Sequence, residues 1–236
     1  AKVLGEKAAE EAVSMLHASP VPSGQYRVII HHRAMADMLE AFNDAFSAEN
    51  VQKDLSVYKG RLNETVAASC VTLVDDSLLP DGVDSRPFDA EGVPGGTHAV
   101  IENGVLKTFL HNLKTAHKDG VKSTGNASKA SYSAPIRVAP TNFYIKAGET
   151  ELEQMLKDMG DGLLIKEVEG LHAGADSVSG DFSLSSKGFL IKDGKIERPV
   201  EQITVAGNFY QMLKDVQVIG GDLTFRCVAK VKSGTW

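Results

Sequence analysis

Apolar residues recur at helical spacing in the first part of the chain. Those between Val3 and Leu16 return every four residues, which predicts an amphipathic helix that the Pro-rich segment 20–24 ends. A short apolar strand is predicted from Tyr26 to His31. A second helix is predicted from Ala34 to Asn50, with one face marked by Met35, Met38, Leu39, Phe42 and Phe46. The first third therefore has the order helix, strand, helix.

The rest of the chain is predicted mainly as strands, because short apolar and β-branched runs alternate with turn residues. The predicted strands are Glu64 to Asp75, Thr97 to Glu102, Val105 to His111, Thr141 to Lys146, Gly162 to Glu169, Asp181 to Lys192, Lys195 to Val205 and Asp222 to Lys232. Short helices are predicted at Asn112 to Asp119, Glu149 to Met159 and Asn208 to Val216.

Two tight hairpins are predicted between these strands. Asn103-Gly104 and Asp193-Gly194 each stand between strand-like runs, and both dipeptides readily adopt the positive φ angles of a type I′ turn. The turn-rich zone from Leu79 to Gly96 is predicted as a surface loop within one domain. The fold class expected is α+β, with a large, mainly antiparallel, curved sheet and a few helices.

Composition and charge narrow the range of functions. Hydrophobic residues make up 42% and charged residues 24%, as in a soluble fold, and the net charge of −6 disfavours nucleic acid as a partner. Two cysteines, Cys70 and Cys227, are too few for a disulfide framework, and no run resembles a signal peptide or a membrane span, so we expect a cytoplasmic protein. Because the first helix begins at once after Ala1, we expect one domain of a longer protein.

The stretch from Ile29 to Leu39 carries the most informative chemistry. It reads IIHHRAMADML at a predicted strand-to-helix junction. This arrangement resembles the TldD/PmbA family, in which a strand leads into a helix with an HExxxH zinc motif. The resemblance places the first His on His32, the Glu on Arg33 and the second His on Asp37, so one of the three motif residues is kept. A guanidinium cannot accept a proton from a zinc-bound water, and it repels a dication.

Other peptides that occur in the family's order extend the resemblance over nearly the whole chain. They are VDD at 74–76, RPFDAEGVP at 86–94, IENGVL at 101–106, STGNA at 123–127, PTN at 140–142, SGDFS at 179–183, PVE at 199–201 and AGN at 206–208. The match is to the PmbA-like (TldE-like) half of the family and to its C-terminal domain. It implies that residues 1–236 form this single domain, without the N-terminal domain of full-length members.

Several of these residues have two readings. His31 and His32 either bind a metal or end the strand and cap the next helix. In TldD-like members a cysteine near the C-terminus completes the zinc site, but Cys227 lacks the Cys-Gly-Lys context expected of it. Asp89 and Glu91 form either a carboxylate pair for acid/base work or the bonds that hold a turn.

The peptide Ser123-Thr124-Gly125-Asn126 also has two readings. It presents donors to an anion or a substrate carbonyl, or it is a surface turn. We treat Asp89, Glu91, Ser123, Thr124 and Asn126 as candidates for a substrate channel.

The resemblance favours a non-catalytic partner of a TldD-like zinc metalloprotease that acts in the proteolysis and maturation of small peptides. The zinc is then expected only in the partner, the complex is a heterodimer or larger, and a homodimer is possible without it. One alternative is a regulatory binding protein, the DNA gyrase modulator of the family's older label. Another is an autonomous metal-dependent hydrolase whose site is rebuilt from His31, His32, Asp37 and either Asp75 or Glu91.

Overall fold

The computed structural model describes residues 2–223 of the chain. The helices are α1 Lys2–Ser14, α2 His32–Phe42, α3 Ala48–Gln52, α4 Leu113–Asp119, α5 Leu152–Met159, α6 Leu171–Gly174 and α7 Phe209–Asp215, with a 3₁₀ turn at Asn43–Phe46. The strands are β1 Val28–Ile30, β2 Leu73–Asp76, β3 Thr97–Glu102, β4 Val105–Leu106, β5 Ala127–Ser128, β6 Arg137–Val138, β7 Phe143–Ile145, β8 Gly162–Glu169, β9 Asp181–Lys192 and β10 Lys195–Asn208. None of the helices in the described range is long and apolar enough to cross a bilayer.

The strands form two four-stranded sheets and one two-stranded sheet. The first sheet has the order β1-β8-β9-β10, and the second has the order β4-β3-β2-β7. Pairing is antiparallel except between β1 and β8, which are parallel. The predicted α+β class with mainly antiparallel pairing is therefore confirmed, although the strands divide between sheets instead of forming one large sheet.

Both predicted hairpins have the backbone that their turn residues favour. Asn103 and Gly104 have φ angles of 49° and 82° between β3 and β4, and Asp193 and Gly194 have φ angles of 48° and 73° between β9 and β10. Asn and Asp tolerate a positive φ better than other non-glycine residues, and Gly tolerates it fully. These two turns thereby fix the registers of β3 against β4 and of β9 against β10.

Three predicted elements differ from the structure, and tertiary contacts explain each difference. The helix predicted over 34–50 divides where Ser47 adopts an extended conformation. The strand predicted over 64–75 is reduced to β2, because the N–H groups of Val66 and Ala67 bond to the carbonyl of Gly104 instead of to a ladder. The strand predicted over 105–111 ends at Leu106, and Leu110 then bonds to Phe46. The predicted strand over 222–232 falls almost wholly outside the described residues.

Phe42 lies at the centre of a buried cluster that draws on both four-stranded sheets. Its ring stacks on Phe209 with centroids 4.5 Å apart, and it meets Tyr210 edge-on at 6.0 Å. Aromatic pairs of this geometry add stabilisation to the burial of the rings. Helix α2 is therefore held against α7 by aromatic packing, and this contact sets where the strand-to-helix junction stands.

We expect the substitution Phe42→Ala to lower the free energy of unfolding by about 3–5 kcal/mol, because it removes a fully buried ring and leaves a cavity. Urea unfolding followed by circular dichroism measures the change. Tyr132→Ala is the matched control, since Tyr132 is 94% exposed and its loss should change stability by less than about 0.5 kcal/mol. Equal effects of the two substitutions would contradict the assignment of Phe42 to the core.

Candidate functional site

The strand-to-helix junction places His31 and His32 at the start of α2. The Nδ1 atom of His31 accepts a hydrogen bond from the Arg33 backbone N–H at 3.3 Å, so His31 caps the helix. The two imidazole rings lie with centroids 3.9 Å apart. Burial, followed by the nearby charges of His32 and Arg33, lowers the pKa of His31 to about 4. His31 is therefore neutral at physiological pH and serves as a cap.

His32, the one motif histidine that the chain keeps, is bonded to a carboxylate. Its Nδ1 lies 2.7 Å from Oδ2 of Asp222, which belongs to the segment that follows α7. Asp37, one turn further along α2, lines the same groove as His32 and Asp222. His32 and Asp37, which occupy the two histidine positions of the motif, thus both border this groove.

Arg33 forms a bidentate ion pair with Glu11 of α1. Its Nη1 lies 2.9 Å from Oε2 of Glu11 and its Nη2 lies 2.6 Å from Oε1. Glu167 of β8 adds a carboxylate oxygen 3.7 Å from Nη1. The hydrogen bond that Arg33 donates to Glu11 raises the pKa of the Arg33 guanidinium and lowers the pKa of the Glu11 carboxyl. A cation with two carboxylates beside it therefore stands at the position of the catalytic glutamate.

These residues do not fit a zinc ion. A hydrolytic zinc site needs three protein ligands with a base nearby, and here the base position holds a guanidinium. Across residues 2–223, no three His, Cys, Asp or Glu side chains gather in a metal-binding arrangement. The further ligands considered for a rebuilt site, Asp75 and Glu91, bind other groups, and Cys227 lies outside the described residues.

Asp75 is buried within the second sheet, and both of its carboxylate oxygens are hydrogen-bonded. Its Oδ1 accepts from the N–H and the hydroxyl of Thr141 at 2.5 and 3.0 Å, and its Oδ2 accepts from the Asn126 amide at 2.6 Å. Burial raises the pKa of Asp75, while these hydrogen bonds oppose the rise. The role of Asp75 is to join β2 to the segments that carry Asn126 and Thr141.

Asp89 and Glu91 bond to separate backbone segments. Asp89 is buried and accepts from the N–H groups of Glu91, Val93 and Ala127 at 2.9, 2.9 and 3.0 Å. Glu91 accepts from the N–H of Leu113, the first residue of α4, at 2.7 Å. These contacts favour the interpretation in which Asp89 and Glu91 bond to the backbone and hold turns in place, over that of a carboxylate pair.

The peptide at 123–126 is hydrogen-bonded to the main chain of His111. The hydroxyl of Ser123 donates to the His111 carbonyl at 3.1 Å, and that of Thr124 accepts from the His111 N–H at 2.7 Å. The N–H groups of Gly125 and Asn126 bond to Ser123 Oγ and to the His111 carbonyl. These donors are already used inside the protein, so the turn is not an anion nest. None of the five loop candidates lines the groove beside α2.

A groove of about 1480 Å³ runs beside α2 and is walled by strand edges. Its lining includes all of β1 and β7, the second half of β10, and parts of the segment 216–223. β1 and β10 are the two edge strands of the first sheet, and β7 is an edge strand of the second. Sequence reasoning missed this convergence, because nothing in a local pattern tells which strands will be at an edge.

The second half of β10 lines this groove with backbone groups for which residues 2–223 supply no partner. The Phe209 N–H bonds to the Gly180 carbonyl at 2.8 Å, which fixes the alternation of the ladder between β10 and β9. In an antiparallel pair every second residue turns its N–H and C=O away from the neighbouring strand. Thr204 and Ala206 are therefore the residues whose backbone groups point outward from β10.

We expect the substitution Arg33→Met to loosen α1, because it removes the bidentate ion pair between Arg33 of α2 and Glu11 of α1. The loss should be about 1 kcal/mol or less, as for ion pairs that are partly exposed. Hydrogen exchange of the α1 amides measures it. Arg61→Met is the matched control, since Arg61 pairs only locally with Glu64. Unchanged exchange in α1 after Arg33→Met would contradict this role.

We expect the stability of the protein to fall as the pH is lowered from about 6.5 to about 4, partly through His31. The pKa of His31 is lower in the folded state, so the unfolded chain binds a proton first and is favoured within this window. Urea midpoints across this pH range test the expectation. His31→Asn keeps a capping side chain without the titration, and its curve should be flatter than that of the wild type. Superimposable curves would exclude His31 as a contributor.

Comparison with known proteins places the chain in a family. The family model of the PmbA/TldA metallopeptidase C-terminal domain matches residues 23–235. A curated metalloprotease of Methanothermobacter thermautotrophicus is 34% identical over 221 residues, which cover 93% of this chain and 48% of that protein. The chain thus spans about half the length of the curated relatives that it matches.

Two solved structures share the fold over nearly the whole chain. A Thermotoga maritima protein described as a modulator of DNA gyrase has a TM-score of 0.87 and 47% identity, covering 94% of this chain and 50% of its own. TldE from Thermococcus kodakarensis has a TM-score of 0.84 and 26% identity, covering 92% and 49%. These matches confirm the resemblance found in the sequence. The chain belongs to the family of PmbA/TldA metallopeptidase C-terminal domains.

Proposed function

We propose that this chain is the non-catalytic, PmbA/TldE-like partner of a TldD-like zinc metalloprotease that acts on small peptides. In this proposal the partner supplies the zinc, and this chain supplies part of the channel that binds the peptide. The observation that carries the proposal is the Arg33–Glu11 ion pair at the position of the catalytic base, beside a groove walled by strand edges.

The ion pair argues against hydrolysis by this chain alone. A zinc-bound water must lose a proton to a nearby base. The guanidinium of Arg33 is already protonated and cannot accept another proton. Glu11 and Glu167 are acceptors in the same cluster, but Glu11 is engaged by both guanidinium nitrogens and Glu167 by Lys187 at 2.8 Å. Arg33 at the base position and Asp37 at the second histidine position thus support the absence of hydrolysis by this chain alone.

The groove supports the binding of extended peptides. An extended peptide can add to a sheet edge as one more strand, and its main-chain hydrogen bonds make few demands on sequence. The outward N–H and C=O groups of Thr204 and Ala206 suit this mode. On the facing wall, β1 uses the Arg27 carbonyl and the His31 N–H to pair with β8, so Val28 and Ile30 turn their backbone groups outward.

The printed names of the relatives are consistent with this proposal, and they also suggest its rival. TldE and PmbA name members of a metalloprotease family, whereas the Thermotoga protein is described as a modulator of DNA gyrase. The net charge of −6 makes direct contact with DNA unfavourable, but it leaves a protein–protein contact with gyrase open. The two functions, protease partner and gyrase modulator, predict different binding partners.

We expect the purified chain alone to hold less than stoichiometric zinc and to cleave no peptide, because its motif lacks a base. Cleavage of a short unstructured peptide should appear when a TldD-like subunit is added.

Ala206→Pro, which removes an outward N–H, should reduce the binding of that peptide, whereas Ala206→Val keeps the N–H and should not reduce it. Zinc analysis, cleavage assays and fluorescence anisotropy measure the three quantities.

The contrary outcomes separate the rival functions. One tightly held zinc together with cleavage by the chain alone would replace the proposal with an autonomous hydrolase. Recovery of gyrase from cell extract without a TldD-like protein would favour the regulatory module. Equal peptide binding by Ala206→Pro and Ala206→Val would remove the edge of β10 from the binding surface.

A further inference from the structure

We propose that the groove selects extended peptides that carry Lys or Arg on alternate residues. This inference rests on the proposed function, since it names the class of peptide that the same groove binds. Three features support it: the charge of the groove lining, the ion pairs of the cations near it, and the spacing of side chains along a strand paired with β10.

The groove lining is strongly acidic. Within residues 2–223, the acidic and basic side chains that line it are five carboxylates, one guanidinium and the imidazole that bonds to Asp222: Asp37, Glu40, Asp158, Asp215 and Asp222 against Arg27 and His32. The guanidinium of Arg27 donates to the backbone carbonyls of Asp158 and Met159 at 3.2 and 2.6 Å. The lining therefore holds a clear excess of negative charge.

Neutral donors, not cations, bind two of these carboxylates. Asp158 accepts from the Gln154 amide at 2.7 Å, and Asp215 accepts from the Gln211 amide at 3.0 Å. An amide bond leaves the charge of a carboxylate in place. Glu40, Asp158 and Asp215 are also exposed, so they are accessible to a ligand that enters the groove.

The basic side chains closest to the motif do not cancel this field. Arg33 is bound by Glu11, and Lys187 is bound by Glu167 at 2.8 Å. Each cation is thus matched by a carboxylate of its own cluster. Within a cleft that has apolar walls, an excess of charge of one sign concentrates ligands of the opposite sign.

The groove also fits the stem of a long basic side chain. Ile203, Val205 and Met212 line it and pack partly against the core, so they offer apolar surface between the acidic groups. Lysine and arginine lay their methylene stems on apolar surface while the charged head reaches a polar partner. A peptide paired with β10 points alternate side chains to one face, with a repeat of about 7 Å, so alternate basic residues meet the same wall.

The test compares three labelled octapeptides with the full chain. They share valine and threonine at every second position, and they carry Lys, Gln or Glu at the others. We expect the Lys peptide to bind about tenfold more tightly than the Gln peptide, since a few exposed ion pairs together contribute that much. The Glu peptide should bind more weakly still. Rising salt should weaken the Lys peptide and leave the Gln peptide nearly unchanged.

A charge-reversal pair assigns the preference to the groove. Asp158→Lys with Asp215→Lys should remove most of the advantage of the Lys peptide, and both positions end helices, where lysine is well tolerated. Glu10→Lys with Glu102→Lys is the control. It makes the same change in net charge at exposed positions outside the groove lining, and it should leave the advantage in place.

The outcomes separate this inference from the function on which it rests. If all three peptides bind equally and Ala206→Pro weakens them, the peptide-binding function stands and the charge preference is wrong. If both charge-reversal pairs have the same effect, overall charge and not the groove accounts for the preference. If no peptide binds, the inference and the peptide-binding function both fail.

Discussion

The ion pair between Arg33 and Glu11 determines what the strand-to-helix junction can do. It removes a proton acceptor from the motif, and it neutralises the cation that replaces that acceptor. The same ion pair joins α1 to the start of α2, and Oε1 of Glu11 also lies 3.8 Å from Nζ of Lys166 in β8. Arg33 therefore takes part in an ion pair between α1 and α2, and the carboxylates beside it explain why a cation is tolerated at the position of the motif glutamate.

The groove depends on the placement of α2, and the placement of α2 depends on Phe42. Stacking between Phe42 and Phe209 fixes the helix against α7, which directly follows β10. The acidic side chains of α2 and the free edge of β10 are thereby held in one cavity. Because three of its walls are strand edges, the groove can bind a peptide main chain without reading many of its side chains. In the proposed function, charge is the property by which the groove distinguishes peptides.

The sequence predicted the regular elements of this fold well and its long-range contacts poorly. The bounds of β3, β8 and β9 agree with the prediction, because each is a continuous strand-like run between turn residues. The hairpins at Asn103 and Asp193 follow from backbone preferences that are local. β5 and β6 went unpredicted, since strands of two residues have no measurable period. The division of the sheet also depends on contacts such as that of Val66 with Gly104, which no local pattern records.

Prediction from the sequence was limited in the same way for the chemistry of the candidate site. The motif alone indicated that Arg33 disables the base position, because that conclusion needs only the residue type. It could not indicate Glu11 as the partner, since the two residues lie 22 positions apart and α1 has no other feature that marks Glu11. Asp89 and Asn126 drew attention as polar residues in loops, yet each bonds to buried main chain or to Asp75. A polar side chain in a Gly-rich loop is therefore ambiguous until the donors and acceptors around it are identified, and here those of Asp89 and Asn126 lie within the fold.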